Sequence, residues 1–354
     1  MKEHRKNIKL GALIETKVSP EFLAITTPYP FKEIPQSFWK HYTQRNQDGN
    51  SGCTDYSSAT HYESVNGVVV SARPPYANRP NNPSLGAVPT DTANCWKLGT
   101  TLESLCISDN LSEAQIDQKF TGTLLYKIQD FVQLNVEDID SLAYAIETYG
   151  SILIDLDICW NEWDTEQGIP TYIPNSTIAG GHQMCGIQAM LWNGQKAILA
   201  QQSWGNDDDS INENGWVIFT ENFLQNRGTG ALAYIMPTYK YFNPTQDPLM
   251  VGVVPVVMEI ADKARGIAGV PFKITSGLRT VAQNQAAGGV SNSAHLTGQA
   301  LDIAVTDQTR QAILKGLLTC GVPVFVEDAL NHIHFDNDSS IHALGTMIVS
   351  TTLD

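Results

Sequence analysis

The sequence is poor in basic residues and has no long hydrophobic run. Only 22 Lys and Arg stand against 37 Asp and Glu in 354 residues, so the formal net charge is -15. Because a phosphate backbone is bound mainly through clustered Lys and Arg, this balance argues against a nucleic-acid partner. The longest apolar run, residues 249–258, is much shorter than the roughly 20 residues that cross a bilayer, so we expect no membrane insertion.

Cysteine is also sparse. The six cysteines include no CxxC pair, which argues against a disulfide scaffold and against zinc or redox sites of that pattern. We therefore expect most of them to be reduced and buried. The basic segment 1–17 contains an apolar stretch of only residues 10–14, too short for the core of a signal peptide. This predicts synthesis in the cytoplasm without a signal peptide.

A proline-broken polar segment divides the chain. Residues 239–249 contain Pro244 and Pro248, and neither a helix nor a strand runs far through such a segment. We place a domain boundary here, which gives domains over residues 1–242 and 243–354.

Both predicted domains mix helices and strands. In the first, residues 138–157 predict a helix and then an apolar strand, Asn193-Gly194 predicts a hairpin turn within 187–201, and 215–219 predicts another strand. In the second, the patterns predict helices over 255–267 and 307–318 and strands over 272–275, 322–325 and 332–335. The fold class expected for each domain is α+β.

A glycine-rich loop in the first domain leads to a cysteine. The loop covers residues 47–54, and Cys53 precedes a predicted helix over 55–65. At a helix N-terminus the macrodipole and the free backbone N–H groups favour the thiolate, which is the nucleophilic form. Gly-Gly-His follows at 180–182 and Gln-Ser-Trp-Gly at 202–205.

This order of residues resembles that of papain-like cysteine peptidases, over about residues 30–240. The resemblance implies a two-lobed papain-like fold in which Cys53 is the nucleophile and His182 is its base and later its acid. It also implies that Gln47 and the Cys53 backbone N–H form the oxyanion hole.

The third catalytic position departs from the papain pattern. Gln202 stands where the family has Asn, and its amide oxygen is offered to His182 on a longer side chain. By the same resemblance Trp204 shields the base, and Asn214 begins an Asn-Gly-Trp match on the closing strand. The alternative is a papain fold that no longer hydrolyses peptides and serves as a binding or structural module.

The second domain contains residues typical of a catalytic metal site. His295 and Asp302 are seven residues apart across a glycine turn, and His332 and His334 share one face of a predicted strand. Two nitrogens and one oxygen suit catalytic zinc, which leaves its fourth position to water. Asp336 is placed to orient a ligand histidine through its other ring N–H.

The segment 293–302 reads Ser-x-His-x-x-Gly-x-Ala-x-Asp and follows a Ser-Gly-Leu-Arg segment that ends at Arg279. With the downstream His-x-His, it resembles the zinc D-Ala-D-Ala carboxypeptidase and L-Ala-D-Glu endopeptidase family, whose fold is shared with Hedgehog signalling domains. The resemblance spans about residues 247–340. It implies that His295, Asp302 and His334 bind Zn²⁺, and that Arg279 neutralises charge on the scissile carbonyl or anchors a peptide carboxylate.

The general base of this site is open. Many relatives have Glu three residues before the last ligand, where this sequence has Asn331. His332 is the first candidate, and Asp328 or Glu327 is the second. The alternative assignment makes His332 the ligand and His334 its neighbour.

Two peptidase-like domains of unrelated mechanism in one chain favour a bacteriophage virion-associated lysin, located in the phage tail. We expect peptidoglycan stem peptides or a cell-surface protein as the substrate and other tail proteins as partners. This interpretation is an analogy between folds. The alternatives are a structural tail or baseplate component with decayed peptidase sites and a protease that processes phage proteins.

Overall fold

The chain forms two compact units. In the computed structural model they comprise residues 1–65 with 69–236, and residues 66–68 with 237–354. The division after Met236 lies six residues before the boundary expected from the sequence, which was placed after residue 242. The structure describes residues 12, 27–47, 49–163, 169–205, 215–244 and 247–349.

Some sequence expectations fall on residues that are not described. The apolar stretch 10–14, except Ala12, residue Asp48 of the glycine-rich loop and the match at Asn214 lie outside the described residues. Among the helices that are described, none is long and apolar enough to cross a membrane.

The first unit contains an antiparallel sheet with the strand order β1-β6-β2-β3-β4-β5. Its strands are β1 (Asp130–Leu134), β2 (Ile152–Ile158), β3 (Gly180–Trp192), β4 (Gln195–Gln201), β5 (Trp216–Thr220) and β6 (Gly228–Ile235). Its described helices are α1 (Cys53–Asn66), α2 (Arg73–Ala77), α3 (Pro89–Leu98), α4 (Glu113–Ile116), α5 (Ile139–Tyr149) and α6 (Glu221–Arg227). Helices predominate early and strands late, as the sequence predicts.

Helix α5 and strand β2 form as their sequence predicts. The Asp138 side chain caps the helix by accepting a hydrogen bond from the Ser141 backbone N at 3.1 Å. Gly150, at φ 84°, ends it in a conformation that favours glycine. The apolar side chains of α5 and β2 belong to one buried cluster, which forms the main core of this unit.

The hairpin between β3 and β4 is also confirmed. Asn193 and Gly194 have φ values of 50° and 75°, as a two-residue type I′ turn requires. Strand β3 begins at Gly180, seven residues before the expected start, and so includes His182 near its beginning.

The second unit contains a five-stranded sheet with the order β11-β9-β10-β8-β7. Its strands are β7 (Lys273–Ser276), β8 (Ala300–Ala304), β9 (Phe325–Asp328), β10 (His332–Asp336) and β11 (Met347–Val349). Its described helices are α7 (Pro255–Ala268), α8 (Val281–Ala286) and α9 (Arg310–Thr319). Helices α7 and α9 approach closely at Gly316. A Cβ at this position would lie only 2.3 Å from the Ala264 carbonyl oxygen.

Two elements of the second unit start later than predicted. A turn in which Thr309 N donates to Thr306 O delays α9 to Arg310, three residues beyond the expected start. The strand expected over 322–325 begins at Phe325, because Gly321 adopts φ 83° and Pro323 has no N–H to donate to a ladder.

A buried ion pair joins the end of α6 to the segment after β2. Arg227 donates from Nε and Nη2 to the two carboxylate oxygens of Glu162, at 2.7 and 2.6 Å. The Glu162 side chain is fully buried. Burial opposes its ionisation, but the hydrogen bonds from Arg227 outweigh burial and lower the pKa of Glu162.

Replacing Arg227 by Leu should lower the free energy of unfolding of the first unit by about 3–5 kcal/mol, because Glu162 would be left charged and unpaired. Since the folded pKa of Glu162 is lowered, its contribution is present above its unfolded pKa and lost as the pH falls through the folded pKa. The variant should therefore lose less stability between pH 6 and 4 than the wild type. Urea unfolding followed by tryptophan fluorescence measures this, because all seven tryptophans lie between residues 39 and 216.

The exposed Lys97–Asp130 pair is the matched control. Its side chains are 35 % and 56 % exposed, so Lys97→Gln should cost less than about 1 kcal/mol. Equal losses of the free energy of unfolding in Arg227→Leu and Lys97→Gln would contradict the larger contribution expected of the buried pair.

Candidate functional site

Cys53 is the first residue of α1, and hydrogen bonds of the Gly52 backbone and the Asn50 side chain fix the loop before it. The Gly52 carbonyl accepts the Asp55 N–H at 2.9 Å and so begins the helix. Asn50 Oδ1 accepts the Gly52 N–H at 3.0 Å, and Asn50 Nδ2 donates to the Leu111 carbonyl at 2.9 Å. The thiol is thereby fixed at a helix N-terminus, as the sequence predicts.

Gln47 connects this loop to the segment after β4. Its backbone N donates to the Ser203 carbonyl at 2.8 Å, and its Oε1 accepts from the Ser203 hydroxyl. Because Gln47 Oε1 is bound to Ser203, Gln47 Nε2 points towards the loop before Cys53. It lies 3.4 Å from the Asn50 carbonyl. Both ends of the Gln47 amide are thus hydrogen-bonded within the protein, and its donor role in an oxyanion hole stays a prediction.

His182 lies on β3, opposite Leu156 of β2. The Trp204 ring covers the imidazole at a centroid distance of 4.7 Å, so the shielding expected of Trp204 is present. Neither ring nitrogen has a hydrogen-bond partner in the described part of the chain. Burial lowers the pKa of His182 to about 3, so this imidazole is neutral at physiological pH.

The orienting role expected of Gln202 is not found. Its Oε1 accepts the backbone N–H of Trp204, and its Nε2 donates to the Gly205 carbonyl at 3.2 Å. Both ends of the amide are thus bound to its own loop, since the extra methylene of Gln lets the side chain fold back. It does not hydrogen-bond to His182.

The helix bearing Cys53 and the strand bearing His182 are joined by the side chains of Ser57, four residues after Cys53, and Gln183, the residue after His182. Ser57 Oγ lies 2.7 Å from the Cys53 carbonyl and 2.7 Å from Gln183 Oε1. No hydrogen bond joins Cys53 to His182, because both nitrogens of the imidazole are without a partner. The structure therefore brings the expected residues onto adjoining elements without forming an activated pair.

Both Cys53 and His182 are fully buried, and the backbone of Ala12 contacts Gly181, the residue before His182. The Ala12 N–H donates to the Gly181 carbonyl at 3.1 Å, and Ala12 forms a parallel bridge with Ala87. A Cβ at Gly181 would lie 2.0 Å from the Ala12 carbonyl oxygen, so only glycine permits this approach. Ala12 is thus held against the residue that precedes the candidate base.

The second unit brings three predicted metal ligands together. His295 Nε2 lies 3.2 Å from Asp302 Oδ1 and 3.3 Å from His334 Nδ1, and the last two atoms are 2.8 Å apart. In a tetrahedral zinc centre with bonds of about 2.0–2.1 Å, neighbouring ligand atoms lie about 3.3–3.4 Å apart. The donor set and its spacing therefore fit a zinc ion. It is His334, and not His332, whose nitrogen joins this group.

Outer contacts determine which ring nitrogens face the centre. His295 Nδ1 lies 2.6 Å from the Gly277 carbonyl, which directs Nε2 inward. His334 Nε2 lies 3.2 Å from Asp336 Oδ2, which directs Nδ1 inward. Asp336 is therefore in the orienting position that the sequence suggested.

The electrostatics favour positive charge at this centre. Burial opposes ionisation of Asp302, but hydrogen bonds from His295 and His334 hold its pKa well below the usual range. Burial also opposes protonation of His334, yet its contacts with Asp302 and Asp336 raise its pKa to about 9. Two carboxylates thus stabilise a cation between them.

Arg279 contacts a metal ligand in this structure. Its Nη2 donates to Asp302 Oδ2 at 2.5 Å, and its Nε donates to Ser276 Oγ at 2.7 Å. The guanidinium is therefore positioned beside the metal centre, where it balances the charge of Asp302.

Of the candidates for the general base, Asp328 is excluded by its surroundings. Its carboxylate forms an ion pair with Arg310, and it lies opposite Ile333 on the other face of the sheet from the ligands. Glu327 lies opposite His334 and so shares its face. His332 also shares that face, with Nδ1 at 2.7 Å from Asn331 Oδ1.

One residue of this site was missed from the sequence. His342 Nδ1 lies 2.7 Å from Asp336 Oδ2, and its ring stacks on Phe325 at a centroid distance of 3.9 Å. His342 and His334 thus contact the same carboxylate oxygen of Asp336. The one sequence signal was a histidine six residues after Asp336, outside any recognisable motif.

Comparisons with known proteins agree with two separate peptidase folds. The family model of peptidase M15 matches residues 238–336, a range that includes the three candidate metal ligands and Arg279. A comparison with curated proteins gives no match.

Solved structures of cysteine proteases resemble the larger part of the chain. Xylellain, from Xylella fastidiosa, has 14% sequence identity and a TM-score of 0.53, over 66% of this chain and 97% of its own. Procathepsin B S9 from Trypanosoma congolense has 13% identity and a TM-score of 0.50, over 65% and 87%. Procathepsin L2 from Tenebrio molitor has 17% identity and a TM-score of 0.50, over 67% and 81%. The α+β prediction is confirmed, and the chain joins a papain-like fold to a C-terminal domain that matches the M15 peptidase model.

Proposed function

We propose that the protein is a zinc-dependent peptidase of a bacteriophage tail, and that its second unit hydrolyses peptidoglycan stem peptides. The observation that carries the proposal is the meeting of His295, Asp302 and His334 donor atoms within 3.3 Å of one another. The M15 match over this unit supports peptide hydrolysis as its chemistry. The wall substrate and the tail location rest on the resemblance to enzymes that act on D-amino-acid cross-links.

The side chains around the centre have distinct roles in this proposal. His295, Asp302 and His334 hold the zinc ion, which when bound supplies a Lewis acid and lowers the pKa of water. Arg279 balances the charge of Asp302. His332 and Glu327, which share the ligand face, are the two groups placed to take up and return a proton.

A second candidate function applies to the first unit. The geometry there favours a peptide-binding module over a working thiol peptidase, because His182 has no partner and Gln202 is bound to its own loop. In this form the first unit would bind a cell-surface protein, a wall peptide or another tail protein, while hydrolysis occurs in the second unit.

The full-length protein should bind one zinc ion, and His295→Ala should abolish binding because only two ligands would remain. His332→Ala is the matched control and should keep the metal. Elemental analysis after dialysis against zinc measures both. Retention of zinc by His295→Ala, or its loss in His332→Ala, would contradict the ligand assignment.

His334→Ala should reduce the release of peptide ends from purified peptidoglycan by more than about 100-fold, since changes to the outer contacts of metal ligands alone cost 10–100-fold. Cys53→Ala should leave this activity unchanged. Mass spectrometry of the soluble products gives the rate and the bond cleaved. If Cys53→Ala loses activity and His334→Ala retains it, the two units have the opposite roles.

Cys53 should react slowly with iodoacetamide at pH 7, at least about tenfold more slowly than Cys320, because its thiol is buried and His182 is neutral. Cys320, which is half-buried in the second unit, is an internal reference. His182→Ala should leave the Cys53 rate unchanged, as peptide-resolved mass spectrometry can show. Fast labelling that requires His182 would instead establish a working thiol peptidase.

A further inference from the structure

One carboxylate of the second unit contacts two imidazole rings through the same oxygen. Asp336 Oδ2 lies 3.2 Å from His334 Nε2 and 2.7 Å from His342 Nδ1. The other oxygen, Oδ1, accepts the Asp338 N–H at 3.0 Å. The Asp336 side chain is fully buried, so its hydrogen bonds to these groups replace those that a carboxylate makes with water.

These contacts determine which nitrogen of each ring carries a hydrogen. An ionised carboxylate only accepts hydrogen bonds, so His342 carries a hydrogen on Nδ1 and His334 carries one on Nε2. In neutral His334 the lone pair is then on Nδ1. This atom lies 2.8 Å from Asp302 Oδ1 and 3.3 Å from His295 Nε2. A metal ligand needs its lone pair at this position, because the other donor atoms of the centre lie there.

Two further contacts fix the His342 ring. The ring stacks on Phe325 at a centroid distance of 3.9 Å and an interplanar angle of 17°. The His342 backbone N donates to the Asp338 carbonyl at 3.0 Å, which closes a turn after β10. The side chain is 34 % exposed, so one part of the ring contacts the buried carboxylate and another part contacts solvent.

The same turn is attached to the strand that carries Asp302. Asp338 Oδ2 accepts from Gln299 Nε2 at 2.9 Å, and the Asn337 N–H donates to the Gln299 carbonyl at 3.1 Å. Gln299 immediately precedes β8 and is three residues before Asp302. Asp338 and Gln299 are both buried. The turn, and with it the His342 ring, is therefore fixed relative to the strand of a second candidate ligand.

We propose that His342 is a positioning residue of the zinc centre, which holds the Asp336 carboxylate in place so that His334 offers Nδ1 to the metal. The inference rests on the zinc-binding role proposed for the second unit. His342 is not among the residues whose donor atoms meet at the centre, and its Nδ1 is turned to Asp336. It acts through two successive hydrogen bonds.

The test measures the zinc affinity of full-length variants by competition with a fluorescent chelator. His342→Phe keeps a ring against Phe325 but removes the donor, so zinc affinity should fall about tenfold, the lower end of the loss expected for outer contacts of metal ligands. His342→Leu is a second variant without the donor and should show the same loss.

A conservative variant separates the hydrogen bond from the stacking. His342→Asn removes the ring but keeps an N–H donor on the atom bonded to Cγ, as in Nδ1 of histidine. Its zinc affinity should stay within about threefold of the wild type, because the charge-assisted hydrogen bond to Asp336 is retained. Asn337→Ala is the matched control in the same turn. The Asn337 side chain binds the Pro323 carbonyl, so this variant should bind zinc as the wild type does.

A double-mutant cycle tests whether His342 acts through Asp336. Asp336→Asn retains the Oδ1 acceptor for the Asp338 N–H and should weaken zinc binding about 10–100-fold, because it removes the direct contact of His334. In that background His342→Phe should cause no further loss, whereas independent effects would add. Hydrogen–deuterium exchange of the metal-free variants should show wild-type protection of α7 and α9, which checks that the second unit is folded.

The inference is overturned if His342→Phe and His342→Leu bind zinc as tightly as the wild type, if His342→Asn loses as much affinity as they do, or if the losses of His342→Phe and Asp336→Asn add. Failure of the proposed function gives a different pattern. A wild-type protein that binds no zinc contradicts the metal site and the role of His342 together. Zinc binding that depends on His342, without release of peptides from peptidoglycan, contradicts only the wall substrate.

Discussion

The register of antiparallel strands places the functional side chains of both units. His334 lies opposite Asp302, and the same pairing continues to Glu327 on one side and Ser276 on the other. A slip of one residue would turn these side chains to the other face of the sheet and separate the ligands. In the first unit the pairing of β2 with β3 likewise places His182 opposite Leu156 and Asp155 opposite Gln183.

Burial has opposite electrostatic outcomes at the two sites. His182 is buried against aromatic and backbone groups with no partner for either nitrogen, so its neutral form is favoured. His334 is also largely buried, yet Asp302 and Asp336 contact its two nitrogens and favour the cationic form. The position of the carboxylates, rather than the depth of burial, therefore distinguishes the cationic centre at His334, which is suited to a metal ion, from the neutral imidazole of His182.

The sequence predicts what local patterns determine. The helix after Asp138, the turn at Asn193 and the metal ligands were all found, because caps, turn residues and motif spacing act over a few residues. The hydrogen bonds of Gln202 and the ion pair of Asp328 were not, because they depend on side-chain rotamers and on partners supplied by the fold. The bulge in β6 opposite Asp155 and Leu156 was not predicted either, because no residue pattern marks its position.

Burial governs the candidate pair of the first unit. Ala12 can approach Gly181 because residue 181 has no side chain, and Cys53 and His182 are both fully buried beside this contact. The same exclusion of water lowers the pKa of His182, so the group that should accept the thiol proton is disfavoured in its charged form. Water or a polar partner at either ring nitrogen would ease that penalty, because solvation and hydrogen bonds favour the imidazolium. Access of solvent to His182 and activation of Cys53 are therefore linked through the protonation of one histidine.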